Sequence, residues 1–96
     1  MAVRMGKRLI SGNLMDYIAL DDHIEVRRIQ VEGSIVGRSI QEINVRRKYG
    51  INVIAVERGH QTQVDFSPQF KFAMGDIVTV IGKVEQIEAF EQEIRS

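Results

Sequence analysis

The sequence contains no cysteine, which excludes disulfides, thiolate metal sites and thiol catalysis and fits a reducing compartment. It also lacks net charge, because thirteen basic side chains cancel thirteen acidic ones. No global positive field is available to hold nucleic acid or an anionic membrane, so any anion site has to be local. No apolar run approaches the ~20 residues needed to span a bilayer, and no signal-type apolar core opens the chain. A soluble chain is expected, without direct membrane insertion and without a nucleic-acid partner. No G-x-G-x-x-G follows a strand-like segment, so no dinucleotide fingerprint is present. Ser11, Ser34, Ser39 and Ser67 show neither a nucleophile elbow nor a paired base, and the two histidines do not make a metal-ligand set. The expectation is a protein that is not an enzyme and carries no metal or resident cofactor.

What remains is 96 residues, 44% apolar and 27% charged, the composition of one ordinary globular domain. The opening stretch, with Val3, Leu9, Ile10, Leu14 and Ile18, has mostly helical spacing weakened by Gly6 and Gly12, and reads as a marginal helix or connector over 1–21. Ile24, Val26 and Ile29 suggest a half-buried strand. Ser39-Ile40-Gln41-Glu42 has the S-x-x-E form of a capping box and starts a short helix that distorts near Asn44. Ile51-Asn52-Val53-Ile54-Ala55-Val56 reads as a central strand buried on both faces. Gln61 to Phe66 alternates weakly and ends at Pro68, as an edge strand would. Ile77 to Ile81 repeats the central signature, and Val84, Ile87, Phe90 and Ile94 recur at helical spacing. Residues 22–96 therefore predict an α+β domain, β-α-β-β-β-α, with a mainly antiparallel sheet and its helices on one face.

Two features point to chemistry. Arg38, Arg46, Arg47, Lys48 and Arg58 crowd one stretch of a neutral chain, which favours a local anion site. Asn52 interrupts an apolar strand, where burying an unsatisfied amide costs ~1–3 kcal/mol. A base edge, a phosphate or a loop backbone would satisfy it.

Ile35-Val36-Gly37-Arg38-Ser39-Ile40, Glu42-Ile43-Asn44-Val45-Arg46, Gly50 to Val56 and Gly75-Asp76-Ile77-Val78-Thr79-Val80-Ile81-Gly82 together resemble the TrkA-C, or RCK-C, domain. Asn13 to Ile18 is similar to the connector of Ktr-type cytosolic regulatory subunits, where it follows a Rossmann-type domain. The resemblance implies that 1–21 are connector and remnant of that RCK-N domain, and 22–96 the ligand-sensing, dimerising half. It implies a homodimer in the cytoplasm, peripheral to the membrane through a potassium transporter or channel subunit, with cyclic di-AMP bound at the two-fold interface. It further implies that Arg46 grips a phosphate and that Asn52 meets base or phosphate. Ile40, Ile51 and Pro68 would flank the adenine, Asn44 would stand where related domains carry an acidic residue facing the base, and His60 would donate to a phosphate. A ligand-free dimerisation scaffold and an ACT-like amino-acid sensor are the competing readings.

Overall fold

The computed structural model describes residues 4–6 and 14–95. Strands β1 (Arg4–Gly6), β2 (Leu14–Ala19), β3 (Ile24–Gln30), β4 (Asn52–Arg58), β5 (Gln61–Gln63) and β6 (Ile77–Lys83) form one sheet in the order β1-β2-β3-β6-β4-β5. Every pairing between them is antiparallel. Helices α1 (Ile40–Ile43), α2 (Val45–Lys48) and α3 (Val84–Arg95) follow the expected order once α1 and α2 are taken as one helix broken at Asn44. The β-branched run of β6 occupies the centre between β3 and β4, and β5 is an edge, as the sequence pattern predicts.

The helix expected at the start is not what forms in the described part of that stretch. Leu14 and Ile18 lie in β2, whose residues pair with β3 from Leu14↔Ile29 to Ala19↔Glu25. Three apolar or aromatic residues at helical spacing fit a pleated strand equally well, and the open edge of β3 supplies a backbone ladder that no isolated helix matches. The rest of the opening run lies outside the described residues. The turn into β3 is closed by Asp21, whose Oδ1 accepts the backbone N–H of His23 at 2.7 Å and of Ile24 at 2.8 Å.

One face of the sheet carries the core. Ile29, Val78 and Val56 stand in register across β3, β6 and β4. Ile43, Val45, Ile87, Phe90 and Ile94 pack on that side in a single buried cluster. Tyr49 meets Phe90 at a ring separation of 5.6 Å. Each large side chain so buried contributes about 1.5–3 kcal/mol.

A charged group penetrates this core. Arg27, 1% exposed, bonds Glu25 on its own strand and Glu91 on α3, while its Nη2 has no partner. Burying three charges is favourable only when they are mutually paired, so strand β3 and helix α3 are tied by an interaction that tolerates little change.

The opposite face corrects a second expectation. Strand β4 is not buried on both sides: Asn52 is exposed and Ile54 is 43% exposed. A bulge between Val53 and Ala55 adds one residue to β4 and turns both Val53 and Val56 toward the valines of β6. Asn52 and Ile54 are left on the open side. The burial cost that made Asn52 conspicuous is therefore not incurred in the single chain.

Candidate ligand groove

The groove begins with the capping box. Ser39 Oγ accepts the Glu42 N–H and Glu42 Oε1 accepts the Ser39 N–H, both at 3.0 Å. The Ser39 N–H bond, followed by that to the Ser39 hydroxyl, holds the Glu42 carboxyl below its ordinary value. The other early donors of α1 are also engaged: Ile40 N–H donates to Phe70 O and Gln41 N–H to Pro68 O, each at 3.0 Å. Thus the helix start fixes the loop 64–72 and offers no free backbone cradle for an anion.

Asn44 then takes the left-handed conformation, φ 52° and ψ 53°, ending α1 and starting α2. Asparagine tolerates this region better than other residues with a Cβ. The reversal turns the chain so that Arg46 on α2 joins Ile40 and Asn44 on one side of a depression. Ile51, Asn52 and Val53 lie beneath it at the start of β4, and Phe66 and Pro68 close the other side.

The depression has a volume of about 520 Å³, within the usual range for small-molecule sites. Six of the seven sequence candidates, Arg46, Asn52, Ile40, Asn44, Ile51 and Pro68, line it. They come from three separate stretches of chain. Ile51 is wholly buried and packs as floor with the core, whereas Ile40 is half-buried and Pro68 exposed. His60 is not among the lining residues. It stands exposed in the turn after β4, beyond the far end of a strand that advances about 20 Å from Asn52 to Arg58. Its charge pattern had no spacing that could place it.

Gln41, Val45, Val53 and Phe66 also line the groove and were not singled out by the sequence. Phe66 is the consequential omission. The weak alternation of Gln61 to Phe66 predicts a strand through Phe66, but β5 ends at Gln63 and leaves Phe66 in the loop beside Pro68.

Among the described lining residues Arg46 is the only charged side chain. Arg27, Arg28, Arg38 and Arg58 each face a carboxylate within 4.0 Å or less, but Arg46 has no such partner among the described residues. An unneutralised guanidinium, two asparagine amides and a glutamine amide surrounded by apolar walls can hold an anion joined to a flat, weakly polar ring. Among the described residues the lining has no carboxylate, histidine or hydroxyl.

An all-antiparallel sheet with helices packed on one face makes this an α+β domain. The chain belongs to the TrkA-C domain family, whose model matches residues 24–95. Ktr system potassium uptake protein C of Bacillus subtilis (strain 168) is 31% identical over 94 residues, 98% of this chain and 42% of that protein. Ktr system potassium uptake protein A of the same organism is 26% identical, again over 42% of its length. The chain thus spans about two fifths of these relatives. The RCK C domain of the potassium transport protein KtrA, solved in complex with cyclic diadenosine monophosphate, superposes with a TM-score of 0.71. It is 30% identical and covers 76% of this chain and 85% of its own.

Proposed function

We propose that this chain is a regulatory domain of a potassium uptake system that senses cyclic di-AMP in the groove, one ligand bridging two chains of a homodimer. The observation that carries the reading is Arg46, a guanidinium with no carboxylate partner among the described residues, in a groove whose other described lining residues are amides and apolar groups. Arg46 would take a phosphate, Asn52 and Asn44 the polar edge of the base, and Ile40, Phe66 and Pro68 its faces. The likeness to a domain solved with that ligand supports the assignment. In this reading the protein is cytoplasmic, non-enzymatic, and acts on a membrane transporter or channel subunit through a longer assembly. No helix of the described residues is long and apolar enough to cross a membrane.

Pairing is supported by the sheet face opposite the core, on which no helix of the described residues packs. Ile18, Val26, Ile81 and Asn52 stand in one row across β2, β3, β6 and β4, and Ile54 protrudes beside them. The row runs directly into the groove at Asn52, so a second copy laid on this face would close the site.

Calorimetric titration with cyclic di-AMP and linear adenine nucleotides, beside analytical ultracentrifugation, tests the proposal. The expected result is a dimer at tens of micromolar that binds one cyclic ligand per two chains. Arg46→Ala should weaken binding at least a hundredfold, on the order of 1.5–3 kcal/mol per contact counted once in each chain. Arg46→Lys should recover little of this, because an ammonium lacks the planar fork. Asn52→Ala should weaken binding without altering its salt dependence. A folded Arg46→Ala chain that binds as its parent does would leave a scaffold without ligand as the better reading.

A further inference from the structure

Arg58 lies at the opposite end of β4 from the groove and lines no part of it. Its guanidinium nevertheless makes three hydrogen bonds and a ring contact. Nε donates to Asp76 Oδ1 at 2.8 Å and Nη2 to Asp76 Oδ2 at 2.7 Å, a bidentate fork. Nη2 also donates to the Lys71 carbonyl at 3.0 Å. The guanidinium carbon lies 5.0 Å from the centroid of the Phe70 ring. Asp76 is itself held, its side chain 2% exposed and its Oδ2 accepting the Ala73 N–H at 2.9 Å.

All of these partners belong to one irregular segment, 64–76, which has no ladder of its own beyond a single bridge between Lys71 and Ser39. Phe70 is the hub of that segment. Its ring is 5.7 Å from Phe66 and 5.9 Å from the buried Phe72, and its carbonyl accepts the Ile40 N–H. The segment that carries Phe66 and Pro68 is held by the start of α1, by Phe72, whose carbonyl accepts the Gly37 N–H at 2.7 Å and whose N–H donates to Arg38 O at 3.0 Å, and by Arg58, whose fork on Asp76 ties it to the end of β4.

We propose that Arg58 is a positioning residue for the groove's ligand: by clamping Asp76, Lys71 and Phe70 it holds Phe66 and Pro68 against α1, so that the wall receiving a flat ring is formed before the ligand arrives. This inference rests on the ligand reading given above. Arg58 contributes no contact to the ligand. Its effect on binding is the cost of ordering the wall, which the free protein has already met when the clamp is closed.

Two observables separate this role from plain stabilisation. Amide hydrogen exchange by NMR reports the wall directly, because the N–H groups of Ile40 and Gln41 are bonded to Phe70 O and Pro68 O, whereas those of Val78 and Val80 report the sheet. Arg58→Ala is expected to accelerate exchange at Ile40 and Gln41 by clearly more than at Val78 and Val80, whose change measures the loss of overall stability that follows when Asp76 loses its partner. Affinity for cyclic di-AMP should fall about tenfold, as two immobilised wall side chains imply. Its dependence on salt should not change, since no ionic contact to ligand is lost. Arg58→Lys keeps the charge and guards against loss of fold; lacking the fork and the flat face, it should behave like the alanine variant. Parental binding by Arg58→Lys alone would show that charge suffices and overturn the clamp, as would an altered salt slope in Arg58→Ala. Unchanged exchange at both amides in Arg58→Ala also overturns it, whether or not ligand binds. Failure of the parent chain to bind cyclic di-AMP sinks the ligand reading, and its exchange data still decide whether the wall is clamped.

Discussion

A Cβ built on Gly82 would stand 2.6 Å from Ile51 Cγ2, so the residue under the groove rests directly on the backbone of β6. Glycine at this strand position is there because another side chain occupies the space a Cβ would need. Gly82→Ala should displace Ile51 and cost about 1–3 kcal/mol, the range for overpacking a filled core. Urea unfolding measures the loss, and the same variant should bind ligand more weakly because the floor has risen.

The left-handed backbone at Asn44 separates two uses of that residue. Asn44→Gly should keep the stability of the parent within a few tenths of a kcal/mol, since glycine adopts this conformation without strain. Any loss of ligand affinity in it then belongs to the missing amide. Asn44→Val should instead destabilise by about 1–2 kcal/mol, because a branched Cβ opposes the same dihedral angles. Thermal unfolding of the pair, with titration of the glycine variant, gives both answers.

Among the described residues, Arg27 stands between two buried carboxylates, Glu25 and Glu91. Arg27→Met would remove the cation that both of them bond, and a loss of about 3–5 kcal/mol is expected. Glu91→Gln leaves Arg27 paired with Glu25 and should cost clearly less. Equal losses in urea denaturation would mean that the three groups do not act as the contacts indicate.

Asp76 gives the fold a defined response to acid. Burial alone would raise its carboxyl, but the bonds from Arg58, the Ala73 N–H and the Arg58 charge together outweigh it and hold the group below the ordinary value of 3.8. A depressed folded value means that the stabilisation is present above the unfolded value and is lost as pH falls through the folded one. The stability difference between the parent and Asp76→Asn should therefore be constant from about pH 7 to 5 and shrink below about 4. A difference that persists undiminished at about pH 3 would count against this pair as the titrating element.

Much of this protein could be read locally. The capping box at Ser39 and Glu42 forms with both of its bonds, the helix breaks at Asn44, β6 is central, and α3 buries Ile87, Phe90 and Ile94. Each of these is specified by neighbouring residues, through hydrogen bonds within one turn or by a side-chain period. The family resemblance is of the same kind, carried by short ordered segments.

The sequence by itself determined most of the helices and strands from β3 onward, and it crowded Arg38, Arg46, Arg47, Lys48 and Arg58 into one stretch of a chain with no net charge. Tertiary structure alone decided the rest, because strand pairing and burial depend on residues far apart in the chain. It made a strand of Leu14–Ala19 by offering the edge of β3, and it exposed Asn52 and Ile54 by placing a bulge in β4 and the helices on one face only. It left His60 beyond the far end of β4, and it ended β5 at Gln63 so that Phe66 joins the groove from a loop. A period of two or of 3.6 says that a face will be buried, but only the packed chain says which face meets the core and which is left open.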